Sequence, residues 1–175
     1  RIFQHSSRIL NKTFDKEITD LLENHIREHE KISLHLNENP VEVRTFENKV
    51  IGLKTDKKEY AANLIIVATG VKPNTEFLKD TGIELFTNGA IVINRFGETN
   101  IPNVYAAGDC ATVYHSVLEK NVYIALATTA NKLGRLIGEN LTGANKAFIG
   151  TLGSAGIKVL EFEAARTGIT EQEAK

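Results

Sequence analysis

Asp109 is the side chain whose setting most suggests chemistry. It closes the run Val104-Tyr-Ala-Ala-Gly108-Asp109, in which a short apolar stretch meets a glycine and then a carboxylate. Such a run reads as a buried strand, and in open α/β sheets ligands sit at the carboxyl ends of strands. A carboxylate there can accept two hydrogen bonds from a ribose or polyol, and Gly108 lets the backbone come close. Further along, Ala125 to Leu141 reads ALATTANKLGRLIGENL, a helical pattern. Its start offers free N–H groups and the positive end of the helix dipole. A strand-end carboxylate near a helix start suits a ligand with hydroxyls at one point and negative charge at another.

Two other groups invite a chemical reading. His25-Ile-Arg-Glu-His29 fits H-x-x-E-H, a pattern that places two imidazoles on one helix face for zinc. A third ligand would have to come from elsewhere, so the expectation is two solvated histidines among charges and no metal site. Cys110 is the only cysteine, which excludes a disulfide within the chain. A small thiol just after a strand end is expected to pack rather than to react. No G-x-G-x-x-G occurs, so a glycine-rich pyrophosphate loop of that pattern is absent from these residues.

The elements that position these residues follow from periodicity and punctuation. Arg1 to Gln4 reads as a strand and Asp15 to His29 as an amphipathic helix, with Ile18, Leu21, Leu22 and Ile26 at three-to-four spacing. Ile32 to Leu36 is a strand, and Val41 to Phe46 with Lys49 to Thr55 is a hairpin around Glu47-Asn48. Leu64 to Ala68 suits a central parallel strand, closed by Thr69-Gly70. Val71 to Asn74 leaves as an extended linker, because the residue before Pro73 avoids the helical region. Phe77 to Gly82 predicts a short helix, Ala90 to Asn94 a strand after the Asn88-Gly89 turn, and Tyr114 to Asn121 a polar loop. Thr151 to Phe162 opens a strand system, and Thr170 to Glu173 has the spacing of a capping box.

Four of these stretches, in their order along the chain, resemble one family. T-x4-VYAAGD, Thr99 to Asp109, resembles the second flavin-binding motif of the pyridine nucleotide-disulphide oxidoreductases. NVYIALATTANKLGR, Asn121 to Arg135, is similar to the helix that follows it in the branch of NADH oxidases, NADH peroxidases and coenzyme A-disulphide reductases. ATGVKPN, Ala68 to Asn74, resembles the crossing from the nicotinamide domain back to the flavin domain, and GTLGSAGIKV, Gly150 to Val159, the start of the interface domain.

The resemblance implies an α/β fold with parts of two Rossmann-like FAD- and NAD(P)-binding domains and the start of an α+β dimerisation domain. Residues 1–72 would be the second half of the NAD(P)-binding domain, 73–148 that of the FAD-binding domain, and 149–175 the opening of the dimerisation domain. Asp109, with Gly108, would hold a ribitol hydroxyl of FAD. Leu126, Ala127 and Thr128 would turn backbone N–H groups towards the flavin N1–C2=O edge, where a helix dipole favours the reduced anion by about 1 kcal/mol or somewhat more. Gly70 and Ala125 would approach the nicotinamide, and Gly156 would line the cofactor cleft. Gln4 stands where an acidic residue would meet the adenosine ribose. Its lack of charge, with Arg8 nearby, leaves NADPH open beside NADH. The implied activity passes a hydride from NAD(P)H via FAD to a disulphide, coenzyme A disulphide, oxygen or peroxide. The working cysteine would lie in an N-terminal segment outside these residues, making the chain an internal piece that is inactive alone. The alternative is a non-catalytic scaffold or assembly fragment of the same fold.

Composition sets the remaining bounds. The 175 residues are 42% hydrophobic and 25% charged with net charge −1, which fits a globular chain and gives no basic excess for nucleic acid or a membrane surface. The apolar runs, Leu64 to Ala68 among them, are too short to span a bilayer, and the first residues lack the apolar segment of a signal peptide. The expectation from these bounds is a cytoplasmic protein; the resemblance implies an enzyme that acts on a small molecule and is a homodimer at full length.

Overall fold

A computed structural model describes all of residues 1–175 and divides them into two compact units. One comprises residues 1–69, 156–166 and 170–175, and the other residues 70–155 and 167–169. The fold is mixed α/β, and no helix is long and apolar enough to cross a membrane.

The first unit opens with a β-α-β arrangement. β1 (Ile2–Gln4) pairs in parallel with β2 (Leu34–Leu36), with Phe3 opposite His35 and Gln4 opposite Leu36. The connection is α1 (Lys16–Glu28), which buries Thr19, Leu22 and Ile26. The buried stripe therefore runs through Thr19, and Leu21 lies outside it, exposed. Leu22, Ile26 and Leu34 form the core with Ile9, Leu36, Val159 and Phe162 packed against them.

A three-stranded antiparallel sheet follows, β3 (Pro40–Phe46), β4 (Lys49–Thr55) and β5 (Glu59–Ala61). Glu47 and Asn48 both take positive φ, 46° and 59°, the backbone that a two-residue hairpin turn requires. Leu64 to Ala68 does not pair. It joins no ladder, and Ile66 is 82% exposed. A central parallel strand needs neighbours on both sides, and no strand of this chain lies beside it.

Glu38 is buried where β2 leads into this sheet, 4% exposed, and its Oε1 accepts hydrogen bonds from Thr55 Oγ1 and Tyr60 OH, each at 2.7 Å. Burial alone would raise its pKa. The Thr55 and Tyr60 hydroxyls and the charges of His35 and Lys57 outweigh burial and hold it below the ordinary carboxylate value. Asp56 is lowered as well, by the side-chain and backbone N–H groups of Asn39. A carboxyl whose folded pKa lies below its unfolded one adds stability at neutral pH, and that stability is lost as pH falls through the folded value. The urea midpoint followed by tyrosine near-UV signal is therefore expected to drop as pH passes from 7 to below about 4. A flat midpoint over that range would contradict the assignment.

The second unit is built on α2 (Ala127–Leu141), which buries Thr129, Leu133 and Ile137. Leu133 and Ile137 pack with Ile91, Ile93, Ala111, Val113 and Phe148. Glu76–Leu78 is one turn of 3₁₀ helix, shorter than the helix expected over Phe77 to Gly82. Ala90 to Asn94 and Val104 to Ala107 are not regular strands. They make single bridges, Ile91 with Leu85 and Ala111, and Tyr105 with Glu98. Burial of Ala90, Ile91 and Ile93 matches the apolar pattern, but continuous ladders need longer partners than this chain supplies. The expected loop over Tyr114 to Asn121 is instead a hairpin of β6 (Val113–His115) and β7 (Lys120–Val122). Val113 and His115 are buried, and Glu119 at φ 51° turns the chain.

β8 (Ala155–Val159) and β9 (Phe162–Arg166) form a further hairpin. α3 (Glu171–Ala174) begins with a full capping box: Thr170 Oγ1 accepts from Glu173 N, and Glu173 Oε2 accepts from Thr170 N.

Candidate functional site

The backbone around Asp109 is tied back to the core, which leaves its side chain free. Ile91 N donates to Cys110 O at 2.8 Å, Thr112 N to Ile91 O at 2.9 Å, and Ala111 N to Gly108 O at 3.1 Å. Gly108 turns the chain at φ +88°, a value a side chain rarely adopts. Cys110 is half-buried, and its thiol donates to Ala107 O at 3.4 Å. Asp109 itself is exposed, and its carboxylate has no hydrogen-bond or ion-pair partner in the protein.

The start of α2 is equally unsatisfied. Its N-cap is Leu126, in extended conformation, a residue with no side-chain oxygen to cap the helix. Leu126 O accepts from Thr129 N and Ala130 N, but the N–H groups of Ala127 and Thr128 find no acceptor. Asp109 and Ala127 line one open cleft of about 710 Å³, together with Ala130, Asn131, Gly134 and Arg135. The guanidinium of Arg135 carries no carboxylate partner. The site thus presents a free carboxylate, free backbone donors at a positive helix end, and small residues that admit a flat body.

Ala130, Asn131, Gly134 and Arg135 were not expected. They follow Ala127 by three, four, seven and eight positions, so the helical period carried the signal. Tyr123 is a further surprise. Its hydroxyl is buried without a partner, and burial, then the charges of Asp109 and Cys110, push the phenol up.

Leu126 and Thr128 flank Ala127, and Ala125 precedes the helix. Gly70 does not line the cleft. It stands exposed at φ +93° with open space where a Cβ would be. Gln4 and Gly156 belong to the other unit. Gln4 ends β1, and its carbonyl accepts from Glu38 N at 3.1 Å. Gly156 lies in β8, where a Cβ would sit 3.8 Å from Ala164 O. The two histidines of H-x-x-E-H go separate ways. His25 Nε2 lies 3.5 Å from Glu161 Oε2, whereas His29 Nδ1 accepts from Lys31 N at 3.3 Å. No three His, Cys, Asp or Glu side chains come together as a metal site.

Residues 1–134 match the family model described as pyridine nucleotide-disulphide oxidoreductase. The NAD(P)H sulfur oxidoreductase (CoA-dependent) of Pyrococcus furiosus is 44% identical over 97% of this chain, which spans 38% of that relative. Among solved structures, the FAD-dependent pyridine nucleotide-disulphide oxidoreductase of Desulfovibrio vulgaris superposes with TM-score 0.88 at 32% identity, over 98% of this chain and 43% of its own. The water-forming NADH oxidase of Lactobacillus brevis, bound to NADH, gives TM-score 0.89 at 32% identity, over 98% of this chain and 38% of its own. FAD is characteristic of this family, and NAD(P)H is its pyridine nucleotide. By a family match over most of its length and an α/β structure shared with solved members, the chain belongs to the pyridine nucleotide-disulphide oxidoreductases.

Proposed function

We propose that this chain is part of a flavoprotein oxidoreductase that passes a hydride from NAD(P)H via FAD to a disulphide, coenzyme A disulphide, oxygen or peroxide. The supporting names fall on both sides of that acceptor range, a CoA-dependent sulfur oxidoreductase and a water-forming oxidase. One observation carries the reading: the unpartnered carboxylate of Asp109 and the uncapped start of α2 share a single cleft.

The residues fit the cofactor by their donor set. Asp109 accepts from ribitol hydroxyls, with Gly108 keeping the backbone out of the way. The free N–H groups of Ala127 and Thr128 meet an electron-rich edge, and Leu126, lacking a capping oxygen, leaves them available. Bound FAD supplies the hydride chemistry, and the protein supplies orientation and electrostatics. Ala125 and Gly70 keep bulk away from the nicotinamide. Gln4 meets the adenosine ribose without charge, which admits NADPH beside NADH. In this reading residues 1–72 and 73–148 are the second halves of the NAD(P)- and FAD-binding domains. Residues 149–175 open a dimerisation domain, and the redox cysteine and both glycine-rich loops lie outside this chain. The enzyme is cytoplasmic and homodimeric.

The test is to express the full open reading frame that contains this chain, record its flavin absorbance, and add NADH or NADPH without oxygen. Expected are bound FAD, bleaching by a pyridine nucleotide, and reoxidation by a sulfur acceptor or by oxygen. A colourless protein that ignores both nucleotides would leave the scaffold reading in its place.

A further inference from the structure

We infer that Glu38 is a positioning residue for the pyridine nucleotide: it fixes the carboxyl end of β1, where Gln4 meets the adenosine ribose. This rests on the nucleotide-binding reading of the first unit.

The ties converge on one short length of chain. Asn37, at φ +50°, turns the backbone just past β2. From there Asn37 N donates to Ser6 O and Glu38 N donates to Gln4 O, both at 3.1 Å. The Glu38 side chain then enters the protein. Oε1 takes the hydroxyls of Thr55 on β4 and Tyr60 on β5, and Oε2 lies 3.4 Å from His35 Nδ1 on β2. His35 stacks on Phe3, the residue before Gln4, with ring centroids 4.9 Å apart, and Phe3 meets Tyr60 edge-on at the same distance. One buried carboxylate therefore joins β2, β4 and β5, and both its backbone and its neighbouring rings bear on Phe3 to Ser6.

Packing alone does not call for this arrangement. An apolar side chain of equal volume fills such a space without the desolvation of a carboxylate. What the carboxylate adds is direction: two short hydroxyl bonds set its orientation, and the backbone N–H of the same residue sets the height of Gln4 O. The positively charged neighbours are peripheral. Lys57 Nζ lies 3.5 Å from Leu36 O, and Arg1 and Lys58 sit over the Tyr60 ring at 5.3 and 5.0 Å.

The flavoenzyme containing this chain tests the assignment through Glu38→Gln, Thr55→Val and Tyr60→Phe. Losing a hydrogen bond to the carboxylate is expected to raise KM for the pyridine nucleotide about tenfold. FAD content and kcat at saturating nucleotide should stay within about twofold, because the flavin cleft lies in the other unit. A purely structural role predicts the reverse, lower FAD content and melting temperature with KM unchanged. If Glu38→Gln does not fold, Thr55→Val and Tyr60→Phe decide. Unchanged KM in both, in an enzyme whose wild type oxidises NAD(P)H, overturns the role of Glu38 alone. A wild type that binds no nucleotide overturns the parent reading, and this assignment with it.

Discussion

Asp109→Ala in the flavoprotein is expected to weaken FAD binding by roughly 10- to 100-fold, since a hydrogen bond to a charged group contributes about 1.5–3 kcal/mol. The free protein makes this a clean measurement. Asp109 is exposed and unpartnered, so its removal breaks no bond of the fold, and the melting temperature of the apoprotein should not move. Asp109→Asn keeps one acceptor oxygen and should lose less. A second readout needs no cofactor. The charge of Asp109 helps to push up the buried Tyr123 phenol, so that phenol should ionise at lower pH in the alanine variant. Full FAD occupancy in Asp109→Ala, at protein concentrations near the wild-type dissociation constant, would remove the carboxylate from the binding site.

Asp109 is singled out in the sequence by a local signal, the glycine before the carboxylate, and Ala127 by the likeness of Asn121 to Arg135 to the family's helix. The rest of the cleft could be found only in part. Ala130, Asn131, Gly134 and Arg135 follow once the helical period is run forward from Ala127, but no local feature says which face opens to the cleft. Tyr123 was hidden, because whether a phenol finds a partner depends on elements far away in sequence.

The elements divide along the same line. The Glu47-Asn48 turn and the Thr170 capping box are set by residues in contact along the chain, and both form as their letters predict. Leu64 to Ala68 has the composition of a central strand, yet a strand exists only by pairing, which composition does not contain. Tyr114 to Asn121 misleads in the opposite sense. It looks polar, but a buried His115 and a bridge from His115 to Thr151 hold it as a hairpin. The Glu38 network was invisible for a related reason. β5 has only three residues, and its Tyr60 lies 22 positions from the carboxylate it serves.

Gly97 supports the sharpest stability prediction for the second unit. It sits at φ +83°, and a Cβ there would overlap Cγ1 and Cδ1 of Ile137. Ile137 cannot simply swing aside, because it is 8% exposed and packed in the core beneath α2. Two separate penalties then act in Gly97→Ala. A left-handed alanine costs about 1–2 kcal/mol, and overpacking a close-packed core costs about 1–3 kcal/mol. Together the variant should lose about 2–5 kcal/mol, a large part of the stability of an ordinary domain. A double-mutant cycle separates the two. Ile137→Ala removes both overlapping carbons at its own expense of about 2–5 kcal/mol. On that background Gly97→Ala should show only the backbone penalty, so the two substitutions together destabilise by about 1–3 kcal/mol less than their sum. Strict additivity would mean that Ile137 yields without strain, and that Gly97 is required for its backbone conformation alone.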